Sequence, residues 1–267
     1  MSDGEVRRVP PARLGRIGNG HHVKLSRDPL EESPWDFSFE KEFDAADSDF
    51  PAVISWLQSL DRKFKVNNTL PDRFLSQPAT EKLLCMLTES VVSLAVRSPM
   101  NREAYAAFSN LIDVRVSNRE REAIIGINMR SAQRLVADSI GAHGKYAVLF
   151  STGKEFIYGD GFFHNVEAVV NRPLDPKMLV PITPTMSVIV SRPMSFMAEP
   201  RLSTIVLTDE EVEQCNHAIQ VYARDALFFR SDVPTLVEAF MSGERRTYAR
   251  ADNPVNTLVR SLPGIAR

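Results

Sequence analysis

Lys145-Tyr146-Ala147-Val148-Leu149-Phe150 is the stretch at which the character of this chain changes. It is apolar, aromatic and β-branched with no helical spacing of polar positions, so it reads as a strand. Upstream of it the apolar residues recur at helical spacing. A first helix is expected from Asp49 to about Lys65, with Pro51 in its first turn and Phe50, Val53, Ile54, Leu57, Leu60 and Phe64 on one stripe. A second spans about Pro78 to Arg97 and stops before Pro99. A third runs from Asn101 to about Asp113, and a fourth from Ser117 to about Ile140, opened by the capping box Ser117-Asn118-Arg119-Glu120.

Downstream the same texture returns in short pieces at 156–158, 178–181, 186–190 and 204–207, punctuated by Pro173, Pro176, Pro181, Pro184, Pro193 and Pro200. Thr208-Asp209-Glu210-Glu211 is a second capping box and starts a helix with Val212, Cys215, Ile219, Tyr222 and Ala223 inward. A last helix is expected from Asp232 to about Met241. Helices first, then strands with helices, predict an α+β fold: an N-terminal layer of about four helices, then a mostly antiparallel small sheet with C-terminal helices. The expected organisation is an irregular arm over 1–47, one domain over 48–243 (helical to 142, sheet and helix from 143), and a basic tail over 244–267.

The chain has 267 residues, enough for a sizeable core, with 43% hydrophobic and 25% charged residues, as in soluble globular proteins. A formal charge of -2 gives no overall electrostatic reason to expect nucleic acid. The arm is basic through Arg7, Arg8, Arg13, Arg16, Lys24 and Arg27, then acidic around Trp35, Phe37, Phe39 and Phe43. No apolar run approaches the roughly 18 residues that span a bilayer, and the N-terminus has no apolar signal core. Cys85 and Cys215 have no CxxC or Cys/His spacing and are expected to be buried free thiols in a reducing compartment. A cytoplasmic protein is expected.

Phe156-Ile157-Tyr158-Gly159-Asp160-Gly161 reads as a strand ending in a tight turn, with one carboxylate bracketed by glycines that permit φ > 0. Asp160 is the candidate catalytic residue, as general base or ligand; the alternative is a side chain that caps its own turn. Asn216 lies beside the buried stripe of its helix and needs hydrogen-bond partners there, either Asp160 or strand backbone. Arg97 sits near a helix C-terminus, where the dipole favours a cation; the sharper reading pairs Arg97 or Arg102 with Asp160 or with an anionic ligand. His164, four residues after Asp160, shares that site or lies on a surface loop. Metal-binding spacings, a P-loop, GxGxxG and GxSxG are all missing from the sequence, and no metal or cofactor is expected.

Several of these residues line up in one order. Arg97-Ser98-Pro99-Met100-Asn101-Arg102, Phe156 to Gly161, Pro181-Ile182-Thr183-Pro184 and Asn216 together resemble the bacterial family called domain of unknown function 4238 from about Glu40 to Phe240. The resemblance implies a similar fold and adds Thr183 to the residues that bind a ligand or structure the site. The chain departs from the family pattern where Tyr158-Gly159 replaces a hydroxyl pair, where Gly161 and Phe162 replace an asparagine-proline, and where His21-His22-Val23-Lys24 lacks a proline and the following aromatic. The family name carries no activity. Two functions therefore stand as expectations. One is a binding or regulatory module with a polar cluster around Asp160, recognising a protein partner or a small anionic ligand. The other is a hydrolase of a phosphodiester or nucleotide, with Asp160 as base or ligand and Arg97 or Arg102 holding the anion.

Overall fold

A computed structural model describes residues 6, 22–23, 37–38, 43–64, 70–98, 101, 118–162, 177–192, 200–223 and 226–242. In chain order these form β1 (His22–Val23), β2 (Phe37–Ser38), α1 (Asp44–Ser59), β3 (Phe74–Gln77), α2 (Glu81–Val96), α3 (Asn118–His143), β4 (Lys145–Phe150), β5 (Tyr158–Gly159), β6 (Lys177–Thr183), β7 (Met186–Ser191), β8 (Leu202–Val206), α4 (Asp209–Tyr222), β9 (Leu227–Phe228) and α5 (Glu238–Met241). The helix expected over 101–113, Ser117, Arg102 and His164 lie outside the described residues, apart from Asn101.

The chain is α+β around a five-stranded sheet in the order β3-β8-β4-β7-β6. The sheet is mixed. β4 runs parallel to β8 and antiparallel to β7, while β3 with β8 and β6 with β7 are antiparallel. All six residues of β4 are buried, which explains why its sequence from Tyr146 to Phe150 is a continuous apolar run: a central strand covered on both faces has no polar alternation.

One face presents Tyr146, Val148, Phe150, Val188 and Val190 to Leu57 of α1, Leu87 and Val91 of α2, and Ile140 of α3. The other presents Ala147, Leu149, Ile189 and Ile205 to Val212, Cys215 and Ala218 of α4. The result is three layers: α1 to α3, the sheet, then α4. Alternation along a strand does this sorting, because successive side chains point to opposite faces.

Several elements differ from the expected ones: α1 stops at Ser59 rather than near Lys65, leaving Phe64 exposed, and β5 spans only Tyr158–Gly159 where a strand was expected over 156–158. α1 starts at Asp44, more than a turn before the expected Asp49, although Pro51 lies inside it. Phe43, at 1% exposure, and Ala46 are in the core, and their packing outweighs the proline signal. α5 spans only Glu238–Met241 rather than starting at Asp232; the Thr235 carbonyl and the Val237 amide are bonded to the Gln220 side chain instead of to a helix. β3 lies between the first and second expected helices, in a stretch to which no strand was assigned; four residues after a short 3-10 turn carry too little periodicity to announce one.

Cys215 is buried on the inner face of α4, but Cys85 is exposed on α2, contrary to the expectation of two buried thiols. Cys85 falls between Leu84 and Met86, off the inward stripe. Burial pushes the Cys215 thiol up to about 12. In a thiol titration the native protein should therefore expose Cys85 at once and Cys215 only in denaturant. Equal reaction rates for both would contradict the packing of α4.

Candidate functional site

The segment 151–160 leaves the end of β4 and is gripped from two sides. From the β6–β7 turn, the Thr185 carbonyl accepts from the Ser151 amide at 3.0 Å and the Pro184 carbonyl from the Phe156 amide at 2.7 Å. From α4, Asp209 accepts the Lys154 amide at 2.9 Å, and Glu213 forms an ion pair with the Lys154 ammonium. Asn216 does more than either. Its Oδ1 accepts from the buried Ile157 amide at 3.0 Å, and its Nδ2 donates to the Glu155 carbonyl at 2.8 Å. The amide thus acts as a bracket, satisfying one donor and one acceptor of a strand-like segment that has no ladder there.

Glu155 carries the densest set of bonds. Its carboxylate accepts from Arg230 Nε at 2.9 Å, from Arg230 Nη2, from the Ser231 amide at 3.2 Å and from the Ser231 hydroxyl at 3.3 Å. The Arg230 guanidinium holds the Glu155 carboxyl below the usual range, against the opposing effect of burial. Next to it, burial pushes the Tyr158 phenol well up.

At the head of α4 the capping box read from the sequence is present: the Glu211 amide donates to Thr208 Oγ1 at 3.3 Å and the Thr208 amide to Glu211 Oε2 at 2.8 Å. The same Glu211 carboxylate is bound at both oxygens by Arg73, at 2.6 and 2.9 Å, and Arg73 also donates to the Val206 carbonyl at 2.6 Å. Arg73 is the buried partner, at 5% exposure. At the other end of the sheet Arg201 donates to the carbonyls of Gly141 and Gly144, which end α3, and pairs with Glu81 at 2.5 Å. A cation at a helix C-terminus is favoured by the dipole as well as by these bonds.

Asp160 follows β5, is half-buried, and donates its amide to the Ala226 carbonyl at 3.0 Å. Its flanking glycines have a reason other than the expected φ > 0. A Cβ on Gly159 would strike the Gly161 carbonyl, and one on Gly161 would strike the Tyr222 carbonyl. Close approach of backbones, rather than a left-handed turn, demands glycine here.

Arg97 is the C-cap of α2, and the structure pairs it with Asp47 rather than with Asp160. Its two terminal nitrogens reach the Asp47 carboxylate at 2.9 and 2.5 Å, Nε reaches the Ser93 carbonyl at 3.3 Å, and the guanidinium lies 4.9 Å from the centre of the Phe43 ring. Arg97 thus belongs to the α1–α2 layer, and Asn216 to the opposite face of the sheet. Thr183 closes β6, with its hydroxyl 3.5 Å from that of Thr185. The structure therefore brings Asn216 and the Thr183 turn to the segment that carries Asp160, and leaves Arg97 elsewhere.

Sequence reading missed Glu155, Arg230, Arg201 and the Arg73–Glu211 pair. The last joins residues 138 positions apart, for which no local spacing exists. Among the described residues no group of three or more His, Cys, Asp or Glu is arranged to hold a metal ion, and no helix is long and apolar enough to cross a membrane. No family model, curated protein or solved structure matches the chain, so the resemblance to domain of unknown function 4238 rests on the quoted residues alone.

Proposed function

We propose that the protein is a non-catalytic binding or regulatory module, in which the polar residues around Asp160 shape the surface that meets a protein partner or a small anionic ligand. One observation carries this reading: the polar side chains nearest the segment bind other parts of the chain. Glu155 holds Arg230 and Ser231, and Asn216 holds two backbone groups. A hydrolase of phosphodiesters needs a cation aimed at the developing negative charge beside its base. Arg97, offered for that role, is bound at both terminal nitrogens by Asp47. Kinship with the bacterial family and a cytoplasmic setting belong to the same proposal; the quoted motifs support the first and two free cysteines the second.

Purified wild type and Asp160→Asn should be compared on chromogenic phosphodiesters and on nucleotides, with and without divalent cations, alongside their melting curves. The expected result is no turnover that distinguishes the two proteins. Turnover that vanishes in Asp160→Asn, while its melting curve stays that of the wild type, would establish the hydrolase instead.

A further inference from the structure

α4 changes character along its length. In its first half only Val212, Cys215 and Asn216 are buried, with Glu213, Gln214 and His217 exposed, as expected of a helix lying on a sheet. From Ala218 to Tyr222 five consecutive residues are buried, at 2, 0, 3, 7 and 4% exposure. A helix that is buried all round has a cover on its outer side as well as a sheet on its inner side. Residues 226–242 supply part of that cover: Ala239 packs on the α4 cluster, and Gln220 bonds to Thr235 and Val237.

Their attachment is unusual in kind. β9 is only two residues long and pairs with β5, Tyr158 opposite Phe228 and Gly159 opposite Leu227. Residues 229–237 then run without regular structure. Among the described residues, two side chains of the body bond to them. Glu155 takes Arg230 and Ser231 through the four bonds given above. Gln220, itself buried under the cover, donates Nε2 to the Thr235 carbonyl at 2.9 Å and accepts the Val237 amide on Oε1 at 2.9 Å. Phe240 is buried and Ala239 packs on the α4 cluster, but Val233 and Met241 are 65% and 45% exposed. A ladder only two residues long, supplemented by side-chain anchors, is the mark of a unit whose opening free energy lies well below that of the whole fold.

We propose that residues 226–242 are a releasable strap, closed over the C-terminal half of α4 by the Glu155 and Gln220 side chains and able to open as a unit while the five-stranded sheet stays intact. Opening releases Gln220 from Thr235 and Val237 and frees Arg230 from Glu155. The strap is thus a built-in control on access to this end of α4, and it does not depend on whether the protein is a module or an enzyme.

Native-state hydrogen exchange of the full chain tests this. In Glu155→Ala, amides of 226–237 should exchange about tenfold faster or more than in wild type, while amides of β4 and β7 keep their rates. Arg230→Ala, which alters only a surface residue and so preserves the fold, should give a smaller acceleration of about two- to fivefold confined to the same residues. If the strap and sheet amides accelerate together in either variant, or if the strap amides do not respond to either, the strap is not a separate unit and the proposal fails.

Discussion

Glu211→Ala should lower the unfolding free energy by about 3–5 kcal/mol, as expected when one partner of a buried ion pair is removed. Arg73 is almost fully buried, and Glu211 is its ionic partner through two hydrogen bonds. Removing the carboxylate takes two charge-assisted hydrogen bonds away from a buried guanidinium. The same change removes half of the capping box at Thr208, a contribution of roughly 1 kcal/mol within that total. Replacing both partners with apolar residues, as in Arg73→Met with Glu211→Leu, should recover most of the loss, because no buried charge remains. Urea denaturation of the single and double variants measures both quantities. A loss below about 1 kcal/mol in Glu211→Ala would mean that the pair behaves as a solvated surface contact.

The pair also fixes the acid limb of stability. Burial by itself raises the Glu211 carboxyl, but the hydrogen bonds from Arg73 and from the Thr208 amide outweigh it, and the folded value lies below the ordinary one. A depressed folded value contributes stability that is fully present above the unfolded value, about 4.3, and is lost as pH falls through the folded value. Wild type should therefore weaken on acidification from about pH 4.3 downward. Glu155, lowered by Arg230, adds to the slope in the same direction. In Glu211→Ala the slope should be shallower.

Asn216→Ala comes second, at about 2–4 kcal/mol. It orphans the buried Ile157 amide and the Glu155 carbonyl together, and each unsatisfied group costs about 1–3 kcal/mol. Asn216→Asp should be nearly as damaging: the acceptor for Ile157 survives, but a carboxylate oxygen replaces the donor that faces the Glu155 carbonyl. Thermal melts of the three proteins decide it. Melting points of both variants within a degree of wild type would show that the bracket is not holding the segment.

How far sequence carried the reading depends on the range of each interaction. β4 was legible because burial on both faces writes a continuous apolar run, and the Thr208 capping box because its two partners lie three residues apart. The core position of Phe43 was not, since only tertiary packing extends α1 past its proline signal. The site was legible in its helix positions and silent in its pairings. Asn216 reads as a buried amide in need of partners, but nothing local names Glu155 and Ile157, 61 and 59 residues away. Arg97 reads correctly as a helix C-terminus, while its partner Asp47, 50 residues upstream, is invisible to any local pattern. A cluster of polar residues in a sequence therefore says that bonds exist without saying whether they face inward or toward a ligand.

That distinction comes down to one amide proton. Exchange at the Ile157 N–H, measured in wild type and in Asn216→Ala, tests most directly whether the polar residues beside Asp160 hold the chain together. The expected result is slow exchange in wild type, close to that of the β4 amides, and acceleration by about a hundredfold in the variant. Rapid exchange of Ile157 in wild type would contradict it, because Asn216 would then be available to something other than the protein's own backbone.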